Sequence, residues 1–171
     1  VLTALGGVAT RRPLIEATSR REVDRALADG TVVRLARDRY ALAGADEALA
    51  AAHRVSGAVS RLSAALHWGW AVKTVPERPV VTVPRRRRVR PEDAACLDLH
   101  VADLGPDDLA GVVTSQERTL LDCLRWEPRD SALAVADSAL RDGFPRARLL
   151  ALARDARGPR SPQVRRVAAA D

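Results

Sequence analysis

The 171-residue sequence contains no methionine and a single lysine, Lys73, and it is poor in aromatic residues. Aromatic residues make up 3% of the chain and hydrophobic residues 47%, so we expect a core built mainly of alanine, leucine and valine. No apolar run approaches the roughly 20 residues that a membrane-spanning helix needs, and no secretory signal is visible. We therefore expect a cytoplasmic protein with no membrane partner. Because an initiator is missing and Val1 lies inside an apparent helix, we also expect both ends to be cut from a longer chain.

The residues from which catalytic and metal sites are usually built are few and scattered. The histidines His53, His67 and His100 lie far apart, and the two cysteines, Cys96 and Cys123, lack the spacing of metal ligands. We expect both thiols to be free and buried. A glycine-rich phosphate loop and a Gly-x-Ser-x-Gly elbow are also missing. The sequence therefore predicts no catalytic residue, no metal site and no cofactor.

Positive charge is carried almost entirely by arginine. Lysine and arginine together number 28 against 22 aspartates and glutamates, which gives a formal net charge of +6 and a pI near 10.7. The planar guanidinium group suits phosphate and guanine better than an ammonium group does. This balance favours a polyanionic partner, and double-stranded DNA is the partner we predict.

Residues 18–42 carry the strongest local pattern in the chain. Ser19 stands three positions before Glu22, which is the spacing of a capping box, and Gly30 can end the following helix in a left-handed conformation. The residues that then alternate around a turn at 37–38 are Val33, Leu35, Tyr40 and Leu42. Such alternation predicts a β-hairpin. A helix followed by a hairpin is the second half of a winged helix-turn-helix.

Arginines on this helix and hairpin are the candidate DNA contacts. The helix is of a size that the major groove accepts, and a hairpin beside it reaches the phosphates. The candidates for base contact are Arg20, Arg21 and Arg25, and those for phosphate contact are Arg34, Arg37 and Arg39. We expect Val23 and Leu27 to face the core instead. A helix over 11–17, and an earlier one that ends near Val8, complete the predicted unit.

A second basic run lies farther along the chain. It consists of Arg85, Arg86, Arg87 and Arg88, between predicted strands at Pro79–Pro84 and Ala95–Val101. Both a solvated loop and a second set of phosphate contacts fit such a run. Phosphate contact requires that the run and the hairpin share one face of the molecule. We include the four arginines among the candidate DNA contacts.

The remaining pattern mixes amphipathic helices with short strands. The predicted fold is therefore α+β: an N-terminal winged helix-turn-helix at 1–43, then a mixed helical domain with a small β-sheet at 46–157. Residues 158–171 are predicted to be a linker and the start of a further helix. Arg118 and Asp122, four positions apart in a predicted helix, are expected to form an intrahelical ion pair.

Several motifs resemble those of one known family. The run LGGVATRRPLIEATSRREVDRALADGTVVRLARDRYAL resembles the N-terminal winged helix of AbiEi-family antitoxins of type IV toxin–antitoxin, abortive-infection systems. The segments SRLSAALHWGW, VTVPR, LHVADL and VTSQERTLLDCLR resemble the second region of actinobacterial members. The resemblance implies a DNA-binding repressor of its own operon. It also implies opposition to a nucleotidyltransferase-like toxin without a tight complex.

Two other functions remain open from the sequence. Many proteins with these two regions continue into an endonuclease domain similar to that of very-short-patch repair enzymes, and this chain stops about where that domain would start. The chain would then be a non-catalytic, DNA-targeting portion of a longer protein. Alternatively, the winged helix binds protein, and Gln116–Arg157 is a docking surface. The oligomeric state, the operator and the toxin are not given by the sequence.

Overall fold

The chain forms short helices and strands that alternate over most of its length. The computed structural model describes residues 8–36, 39–42 and 46–170. Its first elements are β1 (Val8–Thr10), α1 (Arg11–Ala17), α2 (Arg20–Ala28), β2 (Val32–Ala36), β3 (Arg39–Leu42), α3 (Glu47–Val55), β4 (Ala58–Val59), α4 (Arg61–His67) and β5 (Val80–Val83). They are followed by α5 (Pro91–Ala95), β6 (Asp98–Val101), a 3-10 turn (Pro106–Asp108), β7 (Leu109–Ala110), β8 (Val113–Thr114), α6 (Gln116–Trp126), α7 (Arg129–Arg141), α8 (Arg146–Asp155) and α9 (Ser161–Ala168). This order confirms the predicted α+β class with a small sheet.

The elements β1 to β3, with α1 and α2, make up what we call the N-terminal unit. Strand β3 is central in its sheet and pairs with β1 and β2, both antiparallel. The buried side chains of the N-terminal unit are Leu14, Val23, Val32 and Tyr40. Val8 was predicted to end a helix, and this was wrong, because Val8 begins β1 opposite Ala41. The rest of that predicted first helix lies outside the described residues.

A mixed five-stranded sheet forms the centre of the region after the N-terminal unit. Its strand order is β6-β5-β4-β8-β7, with parallel pairs β5–β6 and β4–β8 and antiparallel pairs β4–β5 and β7–β8. All of β5 is buried, with a strand paired on each edge and both α3 and α4 packed against it. Val81 and Val83 pack in one hydrophobic cluster with α3 residues, whereas the Thr82 hydroxyl donates to the Ser60 hydroxyl, 2.9 Å away at the start of α4.

Backbone approaches backbone closely at Gly57, just before β4. A Cβ atom on this residue would lie 2.7 Å from the Thr82 carbonyl oxygen and 2.7 Å from a Val81 methyl group. Both distances are shorter than real Cβ contacts. The sheet therefore requires glycine at this position.

Besides the hydrophobic cluster between α3 and the sheet, a second large core lies between α4 and the four C-terminal helices. Trp70 anchors it, almost fully buried, with its ring edge-on to Phe144 at 6.4 Å between centroids. Helix α9 adds Val164 and Val167, both fully buried, and packs against α6, α7 and α8. This core therefore extends across the predicted boundary between 157 and 158. Among the described residues, no helix has the length and apolar character to cross a membrane.

The segment around Cys96 differs from the sequence-based expectation. Ala95–Val101 was predicted as one strand, but α5 ends at Ala95 and the strand begins only at Asp98. The helix forms because Pro91 starts it and acidic residues fill its first turn. Cys96 consequently lies at the exposed end of α5, so the expectation of burial was wrong for Cys96 and correct for Cys123.

Candidate nucleic-acid interface

Helix α2 is defined at both ends by its own sequence. The Ser19 hydroxyl accepts the Glu22 backbone N–H at 3.3 Å and donates to the Glu22 carboxylate at 2.8 Å. At the other end Gly30 takes a φ of +77°, as expected for a residue that ends a helix. The Asp29 carboxylate accepts hydrogen bonds from Thr31, which hold the pKa of Asp29 below its ordinary value. The helix therefore begins and ends where the sequence predicts.

The exposed face of α2 carries arginine. Val23 is buried and Leu27 half-buried, so this side faces the small core of the N-terminal unit. At 100° per residue, Arg21 and Arg25 lie on the opposite side, one turn apart. Arg20 is three positions before Val23 and seven before Leu27, so it lies on their side of the helix, at the first turn, and the expectation that it shares the outward face was wrong. All three are exposed, and among the described residues neither Arg20 nor Arg21 has an ion pair or hydrogen bond. The helix thus presents two outward guanidinium groups on a fixed scaffold.

The arginines of the hairpin are only partly described. Arg34 is exposed and stands opposite Tyr40 in the β2–β3 register. Arg39 lies opposite Thr10 and Ala36, and the structure describes its backbone alone. Arg37 and the turn lie outside the described residues. Only Arg34 is therefore placed as a side chain, so phosphate contact by the hairpin stays a prediction.

The predicted alternation in β2 is displaced by one residue. Val32 is buried beneath α2, whereas Val33 is 41% exposed on the other face. Opposed residues of an antiparallel pair share one face, so Arg34 lies on the same face as Val32 and the buried Tyr40. It reaches solvent near the end of the sheet, where the register also shifts between Arg34 and Ala36.

The basic run at 85–88 is anchored at two of its four arginines. The backbone N–H of Arg85 donates to the Asp103 carboxylate at 3.1 Å, and the Arg85 guanidinium lies 3.5 Å from the same group. Nε of Arg87 donates to the Val55 carbonyl at 2.8 Å, at the end of α3. Cations are favoured at that end of a helix because its last carbonyls lack backbone partners.

The other two arginines of the run project without partners. Arg86 and Arg88 are exposed, and neither forms a hydrogen bond or ion pair with any described residue. The turn that carries them lies at the end of α3, and α3 also packs against all three strands of the N-terminal unit. That the run shares a face with the hairpin stays a prediction.

Buried ion pairs hold the helices around the sheet. The predicted pair of Arg118 and Asp122 is confirmed at 2.7 Å, and Arg118 also contacts Asp108 at 3.1 Å. Burial alone would lower the pKa of Arg118, but hydrogen bonds and charges from the two carboxylates raise it above its ordinary value. Oδ1 of Asp122 is buried without a hydrogen-bond partner among the described residues. The arrangement is a structural clamp between α6 and the turn before β7.

A second clamp joins α4 to the end of α6. Arg61 contacts Glu127 at 2.6 Å, and the two side chains are 17% and 6% exposed. His100 on β6 lies beside both clamps with its ring 5.3 Å from that of Trp126, and burial lowers the pKa of His100. Within the described ranges, no three His, Cys, Asp or Glu side chains come together in a way that could hold a metal ion. The sequence did not predict this second clamp, because its two members are 66 positions apart.

Sequence analysis also missed a group of arginines near the C-terminus. Arg157 and Arg160 leave the end of α8 and the start of α9, and Arg165 lies on α9. All three are exposed. The signal was present in the density of arginine across RDARGPRSPQVRR, but residues 154–157 were predicted as the end of a helix and residues 158–171 as a linker and the start of a further helix.

The comparisons with known proteins give little further information. No family model matches the chain, and no curated protein matches it. A crystal structure of the RV2827C protein from Mycobacterium tuberculosis is similar, with a TM-score of 0.49 and 14% identity over 98% of this chain and 75% of that chain. A similarity this remote assigns no function.

Proposed function

We propose that the chain is a sequence-preferring DNA-binding protein in which the N-terminal unit is a winged helix. The observation that carries this proposal is the exposed face of α2, where Arg21 and Arg25 project one turn apart from a capped helix. The acidic residues Glu22 and Asp24 lie on the same helix, and the Glu22 carboxylate accepts a hydrogen bond from the Ser19 hydroxyl. A helix of this kind inserts into the major groove, where arginine forms paired hydrogen bonds with guanine.

The order of elements supports the same function. Two helices precede a hairpin, and a preceding strand completes an antiparallel sheet of order β1-β3-β2. Val23 joins α2 to the core shared with Val32 of β2, so helix and hairpin are held in one geometry. In a winged helix the hairpin then contacts phosphates beside the groove. On this proposal Arg34, Arg37 and Arg39 supply these contacts, and Arg86 and Arg88 add more.

We further propose that the protein acts as an antitoxin-type repressor of its own operon and is not itself catalytic. This part rests on the motifs shared with AbiEi-family antitoxins. It fits the scattering of titratable side chains, since the buried carboxylates Asp122 and Glu127 are each engaged by arginine. Opposition to a nucleotidyltransferase-like toxin in the cytoplasm belongs to the same proposal.

The proposal is tested by selecting DNA duplexes that the protein binds from a random pool. The selected sequence is then compared with a scrambled one by fluorescence anisotropy, for the parent protein and for the double variant R21A/R25A. We expect each lost base contact to weaken specific binding by roughly 1–3 kcal/mol and to relax the preference at its position. A second variant, R86A/R88A, is expected to weaken binding to both duplexes alike.

The matched control is R78A/R129A, which removes two exposed arginines from other parts of the molecule. It carries the same loss of charge and should retain the sequence preference. If R21A/R25A folds and still discriminates as the parent does, α2 does not read DNA. The antitoxin part is tested separately, by whether co-expression relieves growth arrest caused by a nucleotidyltransferase encoded beside it.

A further inference from the structure

Four guanidinium groups converge on the connection between α8 and α9. We call this group the C-terminal arginine patch, and it consists of Arg125, Arg157, Arg160 and Arg165. Nη2 of Arg125 donates to the Arg157 carbonyl at 3.1 Å, and Nη1 of Arg160 donates to the Trp126 carbonyl at 3.3 Å. The side chains therefore meet where the last turn of α6 approaches the end of α8.

Two members of the patch share a single acceptor. Nη1 of Arg157 and Nη2 of Arg165 both donate to the Ala156 carbonyl oxygen, at 3.3 Å and 3.2 Å. Each guanidinium uses one nitrogen in this way and has other N–H groups directed elsewhere. Both side chains are exposed, so those remaining donors face solvent.

The patch has one carboxylate beside it, that of Asp155, whose pKa is lowered chiefly by its hydrogen bond from Arg154 and also by the charge of Arg157. Among the described residues, none of its four arginines forms an ion pair. The nearby Asp155 is bound by Arg154 at 3.1 Å, and Glu127 is bound by Arg61. Carbonyl dipoles at the ends of α6 and α8 offset part of the repulsion between like charges, but they add no negative charge.

The patch is also held rigidly. Helix α9 is fixed by the buried Val164 and Val167, and the Arg160 guanidinium lies 5.4 Å from the centre of the Trp126 ring. Ala156, which supplies the shared carbonyl, is buried as well. A partner would therefore meet guanidinium groups that are already ordered, which lowers the entropy lost on binding.

The chemistry of the patch fits phosphodiesters better than a protein surface. Guanidinium forks match phosphate oxygens, and repeated charges match a repeating polyanion. Protein interfaces are usually anchored by large apolar or aromatic side chains, and no described residue from 154 to 166 is an exposed large hydrophobic one. We propose that the C-terminal arginine patch is a second nucleic-acid contact surface, which binds the phosphate backbone of double-stranded DNA without reading its sequence.

This surface shares no residue with the face of α2, so its contribution can be measured by itself. The test uses a duplex of random sequence and the full chain, and follows the salt dependence of binding between about 50 and 200 mM salt. The variant is R157Q/R165Q, and the matched control is R78Q/R129Q. Each phosphate contact makes the slope of log K against log salt more negative by about 0.9. The variant should therefore reduce the magnitude of this slope by roughly two units more than the control does.

Arg157 and Arg165 also bind a buried carbonyl, so their replacement can reduce stability as well as charge. A second measurement therefore uses the parent protein without any substitution. In its NMR spectrum, Nε–Hε signals of Arg157, Arg160 and Arg165 should shift when the same duplex is added. Equal slopes for variant and control, or unshifted signals, overturn the proposal. Poly-glutamate that binds the patch when the duplex does not would also overturn it, and would indicate an acidic protein partner.

The variant R21Q/R25Q separates this inference from the proposed function. It should lose sequence preference and still show the slope difference when R157Q/R165Q is added to it. A protein that never shows sequence preference, but retains the slope difference, has the patch without the winged-helix function.

Discussion

The N-terminal unit and the C-terminal helical region differ most in how much apolar surface they bury. The described part of the N-terminal unit has four buried hydrophobic side chains, contributed by α1, α2 and the hairpin. The helical region packs α4 and α6 to α9 around Trp70, Leu120, Leu124 and Leu149, with many buried alanines between them. Small cores yield little stability, and local opening is easiest where they lie.

Their arginines differ in the same way. In the helical region Arg61 and Arg118 are held by carboxylates in buried or half-buried pairs. On α2, Arg21 is exposed and without a described partner. We infer that the candidate DNA-contacting face of α2 is carried by the region with the smaller described core, whereas the buried arginines of the helical region support its structure.

The largest expected effect comes from making the same deletion in each core. Leu124 is fully buried and Leu14 is 3% exposed, so both changes to alanine remove the same buried atoms. We expect Leu124→Ala to lower the global free energy of unfolding by about 2–5 kcal/mol. Leu14→Ala should cost about 2 kcal/mol or less, because a small core near the surface can collapse around the gap. Urea unfolding followed by circular dichroism measures both.

Amide hydrogen exchange shows which region of the molecule each substitution destabilises. Leu14→Ala should accelerate exchange in α1 and α2 and leave α6 protected, whereas Leu124→Ala should accelerate exchange throughout. Equal global losses from the two substitutions would show that the two regions unfold as one unit. The comparison drawn above would then be wrong.

A smaller effect is expected from Gly57→Ala. The new methyl group would overlap the Thr82 carbonyl and Val81 in the centre of the five-stranded sheet. Overpacking of this kind costs about 1–3 kcal/mol. The control is Gly105→Ala, where a Cβ would meet Asp108 at an ordinary 3.7 Å and the stability should change by about 0.5 kcal/mol or less. Similar urea midpoints for the two variants would contradict the close approach.

The smallest effect is a pH dependence confined to one region. Burial lowers the pKa of His100 in the folded protein, with Asp122, Asp98, Arg61 and Arg118 as the charges around it. The folded state therefore binds fewer protons than the unfolded chain, and stability should fall as the pH drops below the unfolded value of about 6.5. The comparison of urea midpoints at about pH 7.5 and about pH 5.5 measures this loss.

His100→Gln should remove that part of the pH dependence. The N-terminal unit contains no histidine, so exchange of its amides provides an internal reference over the same range. A pH dependence that persists unchanged in His100→Gln would assign it to another group.

The sequence predicted best those features that depend on neighbouring residues. Ser19 and Gly30 delimit α2 as expected, and Gln116–Trp126 is helical over the range predicted. The four-residue spacing of Arg118 and Asp122 likewise predicted their ion pair. Caps and intrahelical pairs need no knowledge of the distant chain, so local chemistry is sufficient to place them.

The prediction failed where distant segments decide the structure. Strand β4 has only two residues, and it exists because Val59 pairs with Val113 and Val81. The pairing of Arg61 with Glu127 spans 66 positions and has no local signature. The arginines of residues 154–166 were visible in the sequence, but their meeting with Arg125 was not, because it depends on carbonyl acceptors that any residue could supply.

The large sequence separation of the parallel strands β4 and β8 has a consequence for the order of folding. Val59 must find Val113 across the whole of α4, β5, α5 and β6, and closure of so long a loop is slow. Within the N-terminal unit, β2 and β3 are separated by only two residues in the sequence and can pair early. We therefore expect the N-terminal hairpin to form early, and the region that finally confers most of the stability to be completed last.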